Sequence, residues 1–95
     1  VKYVVIFKAK VKQLDPEYFQ TAQHLRDKAL SQFNCKQFES IAENGFEIAL
    51  SYWDSLEDIQ AWHKDAEHQT AQGIGKEKWY ESFSVEICEV LRRYP

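Results

Sequence analysis

Asn44-Gly45 narrows the possible folds of this chain more than any other pair in it. Asn followed by Gly is the dipeptide that most readily takes two successive residues of positive φ, which is what a tight two-residue hairpin turn requires. Residues 35 to 43 and 46 to 54 are therefore expected to be antiparallel strands, with a register that the turn dictates. Ile41 should face Ile48, Glu39 should face Leu50, and Gln37 should face Tyr52. A carboxylate, Glu39, then sits on an otherwise apolar side of the sheet.

The remaining elements follow from periodicity and capping. Tyr3, Val5, Phe7, Ala9 and Val11 alternate with Val4, Ile6, Lys8, Lys10 and Lys12, a period of two that predicts a first strand over residues 3 to 12. Asp15-Pro16-Glu17 supplies an N-cap, a proline at the first helical position and an acid at the positive helix end. The helix it starts carries Phe19, Ala22, Leu25, Ala29 and Phe33 at spacings of three and four, and should run to about residue 33. Ser55-Leu56-Glu57-Asp58 has the spacing of a capping box and opens a second helix with Ile59, Trp62 and Ala66 inward. Gly73 and Gly75 predict a break between residues 64 and 76, with helix resuming through Trp79 and Tyr80. A last strand is expected over residues 83 to 91, with Phe83, Val85, Ile87 and Leu91 on one side.

Strand, helix, hairpin, helix, strand is the ferredoxin-like split βαβ order. This is an α+β fold with a four-stranded antiparallel sheet of order 4-1-3-2 and both helices on one face. At 95 residues the chain has room for a single domain, residues 1–95. The other sheet face, on which this reading places Val4, Ile6, Ala49, Trp53, Cys88 and Val90, is too apolar for a solvated surface, so a second subunit is expected to cover it.

Charge and composition exclude several classes. The net charge is -3 and the basic residues are scattered, so no stripe exists to track nucleic-acid phosphates. The longest apolar run, Val4-Val5-Ile6-Phe7, is far below the roughly 20 residues of a membrane helix. The lysine-bearing segment that follows it lacks the order of a signal peptide, and a cytoplasmic location is expected. Cys35 and Cys88 fall on strands that this topology sets at opposite edges, about 14 Å apart, too far for a bridge within one chain. Both are expected to be reduced, and neither has a metal-ligating companion at a suitable spacing. His63 and His68 point about 140° apart on a helix, which rules them out as a pair gripping one metal.

His68, Gln72, Gly75 and Trp79 stand at intervals of four, three and four, which is one helical face. A proton acceptor, an amide donor, a glycine that permits close approach and an aromatic wall make a plausible pocket lining. Trp62, Tyr52 and Glu39 are the residues that would complete it. The plainer alternative is structural: His68 and Gln72 cap a loop or bond to the sheet, and the aromatics are core. No serine nucleophile elbow, phosphate loop or dinucleotide fingerprint is present.

Val5-Ile6-Phe7, Glu39-Ser40, Ser51-Tyr52-Trp53, Ser55-Leu56, Ala61-Trp62, Glu67-His68, Ala71-Gln72, Gly75 and Trp79-Tyr80 together resemble the antibiotic biosynthesis monooxygenase (ABM) domain family of dimeric α/β barrels. The resemblance covers nearly the whole chain and departs at Asn34-Cys35, where the family often has a glycine and an aromatic. It implies a homodimer whose sheets face each other, with a small-molecule cavity between sheet and helices in each subunit. Some members oxidise polycyclic phenols to quinones without metal or flavin, and others bind and degrade haem. The haem-degrading branch uses an asparagine in the first strand, a tryptophan in the second helix and an iron-ligating histidine about three turns later. Trp62 matches, but Phe7 and Gln72 stand at the other two positions, and glutamine is a poor iron ligand. The expectation is therefore a monooxygenase without metal or cofactor that acts on a small aromatic molecule, a phenol or quinol. His68 or Glu39 would take the proton, Gln72 would donate to oxygen, and Tyr52, Trp62, Trp79 and Phe7 would hold the ring. The competing expectation is a non-catalytic binding or stress-response module on the same fold.

Overall fold

A computed structural model describes residues 1–13, 15–72 and 79–95, with residues 67–72 described by backbone alone. The elements are β1 (Tyr3–Val11), α1 (Pro16–Gln32), β2 (Gln37–Glu43), β3 (Phe46–Trp53), α2 (Leu56–Gln72) and β4 (Tyr80–Glu89). They form one four-stranded sheet in the order β2-β3-β1-β4 with antiparallel neighbours, the expected ferredoxin-like α+β topology. No helix among the described residues is long and apolar enough to cross a membrane.

Local chemistry places each boundary. Asn44 and Gly45 have φ of 53° and 80°, and the hairpin pairs Ile41 with Ile48, Glu39 with Leu50 and Gln37 with Tyr52, as the turn requires. The Asp15 side chain accepts from the Tyr18 amide at 2.8 Å and so satisfies one of the free donors at the start of α1. At the other end Asn34 takes the left-handed conformation at φ 65°, and the Cys35 amide returns to the Ala29 carbonyl at 3.1 Å. Cys35 thus closes the helix, and β2 starts two residues later than the sequence suggests. Its thiol is buried, and burial raises its pKa. Ser55 accepts from the Asp58 amide at 3.2 Å, the capping box that opens α2. That helix is continuous to Gln72, so no break occurs over residues 64 to 72; the glycines at 73 and 75 lie outside the described residues. β4 begins at Tyr80, earlier than expected, because Val11 pairs with it after an irregularity in the β1–β4 register.

The register also decides which side chains meet the helices. Val5 pairs with Ser51 and Ile87, Phe7 with Ala49 and Val85, and Tyr3 with Trp53, so these residues share one face. Trp53 is fully buried there, and its ring lies 5.7 Å from that of Trp62 on α2. Ala49 and Trp53 therefore lie on the helix-covered face and not on the bare one, a correction to the sequence reading. The bare face of the central strands instead carries Val4, Ile6, Phe46, Ile48, Leu50 and Tyr52. On α1 the expected stripe turns inward at Ala22, Leu25, Ala29 and Phe33, and only its first member differs: Phe19 remains 55% exposed at the cavity's edge while Tyr18 is buried at 4%.

The core gathers at one end of the helix–sheet layer, where Val5, Ala29, Cys35, Trp53 and Ile59 are buried together and Tyr3, Phe33, Phe38 and Trp62 pack on them. The two helices are tied by Lys28, whose ammonium lies 3.0 Å from a partly buried carboxylate oxygen of Asp65.

Candidate functional site

Beyond that core the same layer is hollow. A cavity of about 920 Å³ opens between the sheet and the helices, and the sequence explains its volume. Its sheet floor is built from small residues, Ser40 and Ala42 of β2 and Ala49 and Ser51 of β3, and Ala22 and Ala66 face it from the helices. Among the described residues nothing bulky fills the space above them, which leaves room for a ligand.

The walls are aromatic. Phe7 stacks on Phe83 at 5.9 Å between ring centroids and meets Tyr80 edge-on at 5.4 Å. At the boundary with the core, Trp62 lies edge-on to Phe38 at 6.0 Å, and its indole N–H reaches the Leu25 carbonyl at 3.4 Å. That bond locks the ring in place as a wall. Tyr18 completes the far side against Trp79 and Tyr80 at 5.6 and 6.1 Å. Phe83, Val85 and Ile87 of the edge strand β4 form a partly exposed apolar lip.

Among the described residues one carboxylate faces this apolar space. Glu47 of β3 lies across from Ala9 of β1 and Ala42 of β2, neither of which can pair with it. Among the described residues it has no hydrogen bond or ion pair, and burial raises its pKa to about 6. Burial, and after it the negative charge of Glu47, push the nearby Tyr80 phenol well above the usual range. The other titratable groups on the wall are Tyr18 and Arg26 of α1 and His63 of α2.

Of the residues singled out in the sequence, Phe7 and Trp62 line the cavity, and Trp79, 2% exposed, borders a small annexe of about 40 Å³ beside Tyr18 and Tyr80. His68 and Gln72 belong to the part of α2 whose side chains lie outside the described residues, as does Gly75 with its whole residue. Glu39 and Tyr52 are not brought to the cavity. They pair with Leu50 and Gln37, and that parity turns both to the sheet face away from the helices. There Glu39 accepts a hydrogen bond from Gln37, and the Arg93 guanidinium lies 5.7 Å from the Tyr52 ring centroid. Glu47, Tyr18 and Tyr80 are the cavity residues that sequence reasoning missed. The hairpin register carried the signal for Glu47, because it sets Glu47 on the face opposite Ile48.

Comparison with known proteins agrees with this architecture. The chain matches no protein-family model. Among solved structures, a candidate antibiotic biosynthesis monooxygenase from Chloroflexus aurantiacus J-10-fl superposes with a TM-score of 0.64 at 13% identity, covering 100% of this chain and 98% of that one. A dimeric ferredoxin-like protein from an uncultured marine organism gives 0.65 at 10% identity, over 100% and 99% of the two chains. A point mutant of MhuD with two manganese protoporphyrin IX molecules bound per active site gives 0.59 at 15%, over 97% and 98%. At such identities these likenesses concern the fold alone: the chain shares with them the ferredoxin-like α+β fold. Its family is set by sequence. YqjZ of Bacillus subtilis (strain 168), an uncharacterised protein, is 37% identical over 92 residues, covering 96% of this chain and 81% of YqjZ, and the chain belongs to the YqjZ family.

Proposed function

We propose that the cavity binds a small electron-rich aromatic molecule, a phenol or quinol, and that the protein is a monooxygenase that oxidises it without metal or flavin. The observation that carries this reading is the aromatic-walled hollow over a floor of alanines and serines, with Phe7, Trp62 and Tyr80 on its walls, and in this proposal those rings hold the planar ligand. The chemistry balances without an external reductant. A phenol that loses its proton gives an electron to O2, one oxygen atom enters the ring as the second quinone oxygen, and the other leaves as water. The apolar lining keeps bulk water from the intermediate. His68 and Gln72, on the far part of α2, remain in this proposal as acceptor of the proton and donor to developing charge on oxygen.

The reading includes a homodimer formed through the bare sheet face. Ile41, Phe46 and Ile48 are 70%, 55% and 44% exposed on that face, a patch that a single subunit leaves in water. Sedimentation equilibrium should find a dimer at micromolar concentration that Ile6→Glu splits; a monomeric native chain refutes this part. The catalytic part is tested by oxygen uptake over a panel of quinols and naphthols with a chelator present. Uptake from a naphthol with one quinone and no hydrogen peroxide formed per O2 supports it, and binding of the aromatics without uptake leaves a non-catalytic binding module instead.

A further inference from the structure

We propose that Glu47 is the polar anchor of the cavity, accepting a hydrogen bond from the hydroxyl of an aromatic alcohol and turning away aromatic carboxylates. The proposal rests on the reading that the cavity takes a small aromatic molecule, and it adds the group that selects among such molecules. Glu47 projects from β3 on the helix-covered face, between Ala9 and Ala42, and lines the cavity. Its neighbours on those strands offer no side-chain donor, and no described residue bonds to it or pairs with it. A carboxylate held in that way is an acceptor with unused capacity, and a ligand hydroxyl is the partner the site lacks.

The aromatic walls stand at the same place. Tyr80 is close enough for the charge on Glu47 to act on its phenol, and the ring of Phe7 lies 5.4 Å from that of Tyr80. A ring held by Phe7 and Tyr80 therefore has its substituents within the field of the carboxylate. A hydroxyl there gains a charge-assisted hydrogen bond, whereas a second carboxylate meets a like charge across apolar space. Arg26 is, among the described residues, the cation on the wall that would reverse this preference if it, and not Glu47, governed the ligand.

The test uses two ligands with the same ring, 1-naphthol and 1-naphthoate, titrated calorimetrically into the full chain at pH 7.5. The native protein should bind the naphthol at least about tenfold more tightly than the naphthoate. Glu47→Gln should bring the two within about threefold of each other, while Glu47→Asp, which keeps the charge, should retain most of the discrimination. His24→Gln, on the exposed face of α1 outside the cavity, should change neither. Lowering the pH through 6 should erode the discrimination in the native chain and leave Glu47→Gln unaffected; among the described residues the other titratable and charged groups facing the cavity are Tyr18, Arg26, His63 and Tyr80. Circular dichroism establishes that each variant is folded. Equal or tighter binding of the naphthoate, or a preference that survives Glu47→Gln, overturns the proposal, and loss of naphthoate binding in Arg26→Gln would assign the selection to Arg26. Failure of both ligands to bind overturns the cavity reading together with the anchor. Discrimination without oxygen uptake leaves the anchor standing and refutes only the oxidation.

Discussion

Two halves of one layer, enclosed by the same two helices and the same sheet face, behave in opposite ways. At the end near Tyr3 and Trp53 the space is filled, with Trp53 and Ala29 at 0% exposure and Ile59 at 2%. Toward Ala9 and Glu47 it is a cavity of about 920 Å³. The strands alternate identically in both halves, so periodicity does not distinguish them. Side-chain size does. On the covered face β3 runs from Trp53 through Ser51 and Ala49 to Glu47, and β2 from Phe38 through Ser40 to Ala42. Along β2 and β3 the large Trp53 and Phe38 occupy the filled end and the small Ser40, Ala42, Ala49 and Ser51 floor the hollow, so one continuous sheet supplies both a core and a cavity.

This contrast predicts unequal costs for equal truncations. Trp53→Ala should destabilise the protein by about 3 to 5 kcal/mol, since the ring is fully enclosed and its neighbours are held by the caps of both helices. Phe7→Ala removes a half-buried ring from a cavity wall and should cost less than half as much. Urea unfolding of both variants measures the difference, and equal losses would mean that the hollow half is packed after all. Ser51, at the border between the halves, gives the next effect. Its hydroxyl accepts from the Trp53 indole N–H at 2.9 Å, and Ser51→Ala leaves that donor buried without a partner, at a cost of about 1 to 2 kcal/mol.

Turns, caps and strand pairings were legible in the sequence; the sheet face that the helices cover was not, and Trp53, at the centre of the filled half, was expected on the bare one. Asn44-Gly45, Asp15-Pro16 and Ser55-x-x-Asp58 act on their own neighbours, so each announced its turn or cap with the correct pairing. What a hairpin turn does not specify is which face the helices will cover. On β2 and β3 the covered face holds Ser40, Ala42, Glu47 and Ala49, while Ile41, Ile48 and Leu50 lie on the bare one. Hydrophobic patterning reads the second set as inward, which is why Glu39 and Tyr52 were expected in the pocket and Glu47 was not. The proposed ligand and second subunit would account for the inversion, since a face that meets a ligand can be small and polar and a face that meets another subunit can be apolar.

Glu47 sharpens the comparison through its charge. Its carboxyl titrates near 6 in the folded chain against 4.5 for a solvated glutamate, so the folded state binds more protons between those values. The group's favourable contribution is complete below pH 4.5 and is lost as pH rises through 6. Above that, Glu47→Gln should stabilise the protein by about 1 kcal/mol, reduced from the full shift because the side chain is partly solvated. Unfolding midpoints at pH 7.5 and pH 4 measure this. A gain of the same size at both would show that the effect is not electrostatic.

The smallest expected effect is the most direct test of the hollow itself. Ala29 and Ala49 are the same residue in the two halves, one with no exposed surface in the core and the other on the cavity floor beside Phe7 and Ser40. Adding methylenes to a filled core forces neighbours off their rotamers, and Ala29→Leu should cost about 1 to 3 kcal/mol. The same enlargement at Ala49 grows into open space and touches nothing that must move, so Ala49→Leu should leave stability within about 0.5 kcal/mol of the native chain, because the added apolar area offsets the small entropy lost on ordering it. Its effect should appear in the ligand instead, as weaker binding of 1-naphthol, since the new side chain occupies volume that the ring needs. If Ala49→Leu destabilises as strongly as Ala29→Leu, the floor at residue 49 is already in contact with the helices above it and no ring can lie there.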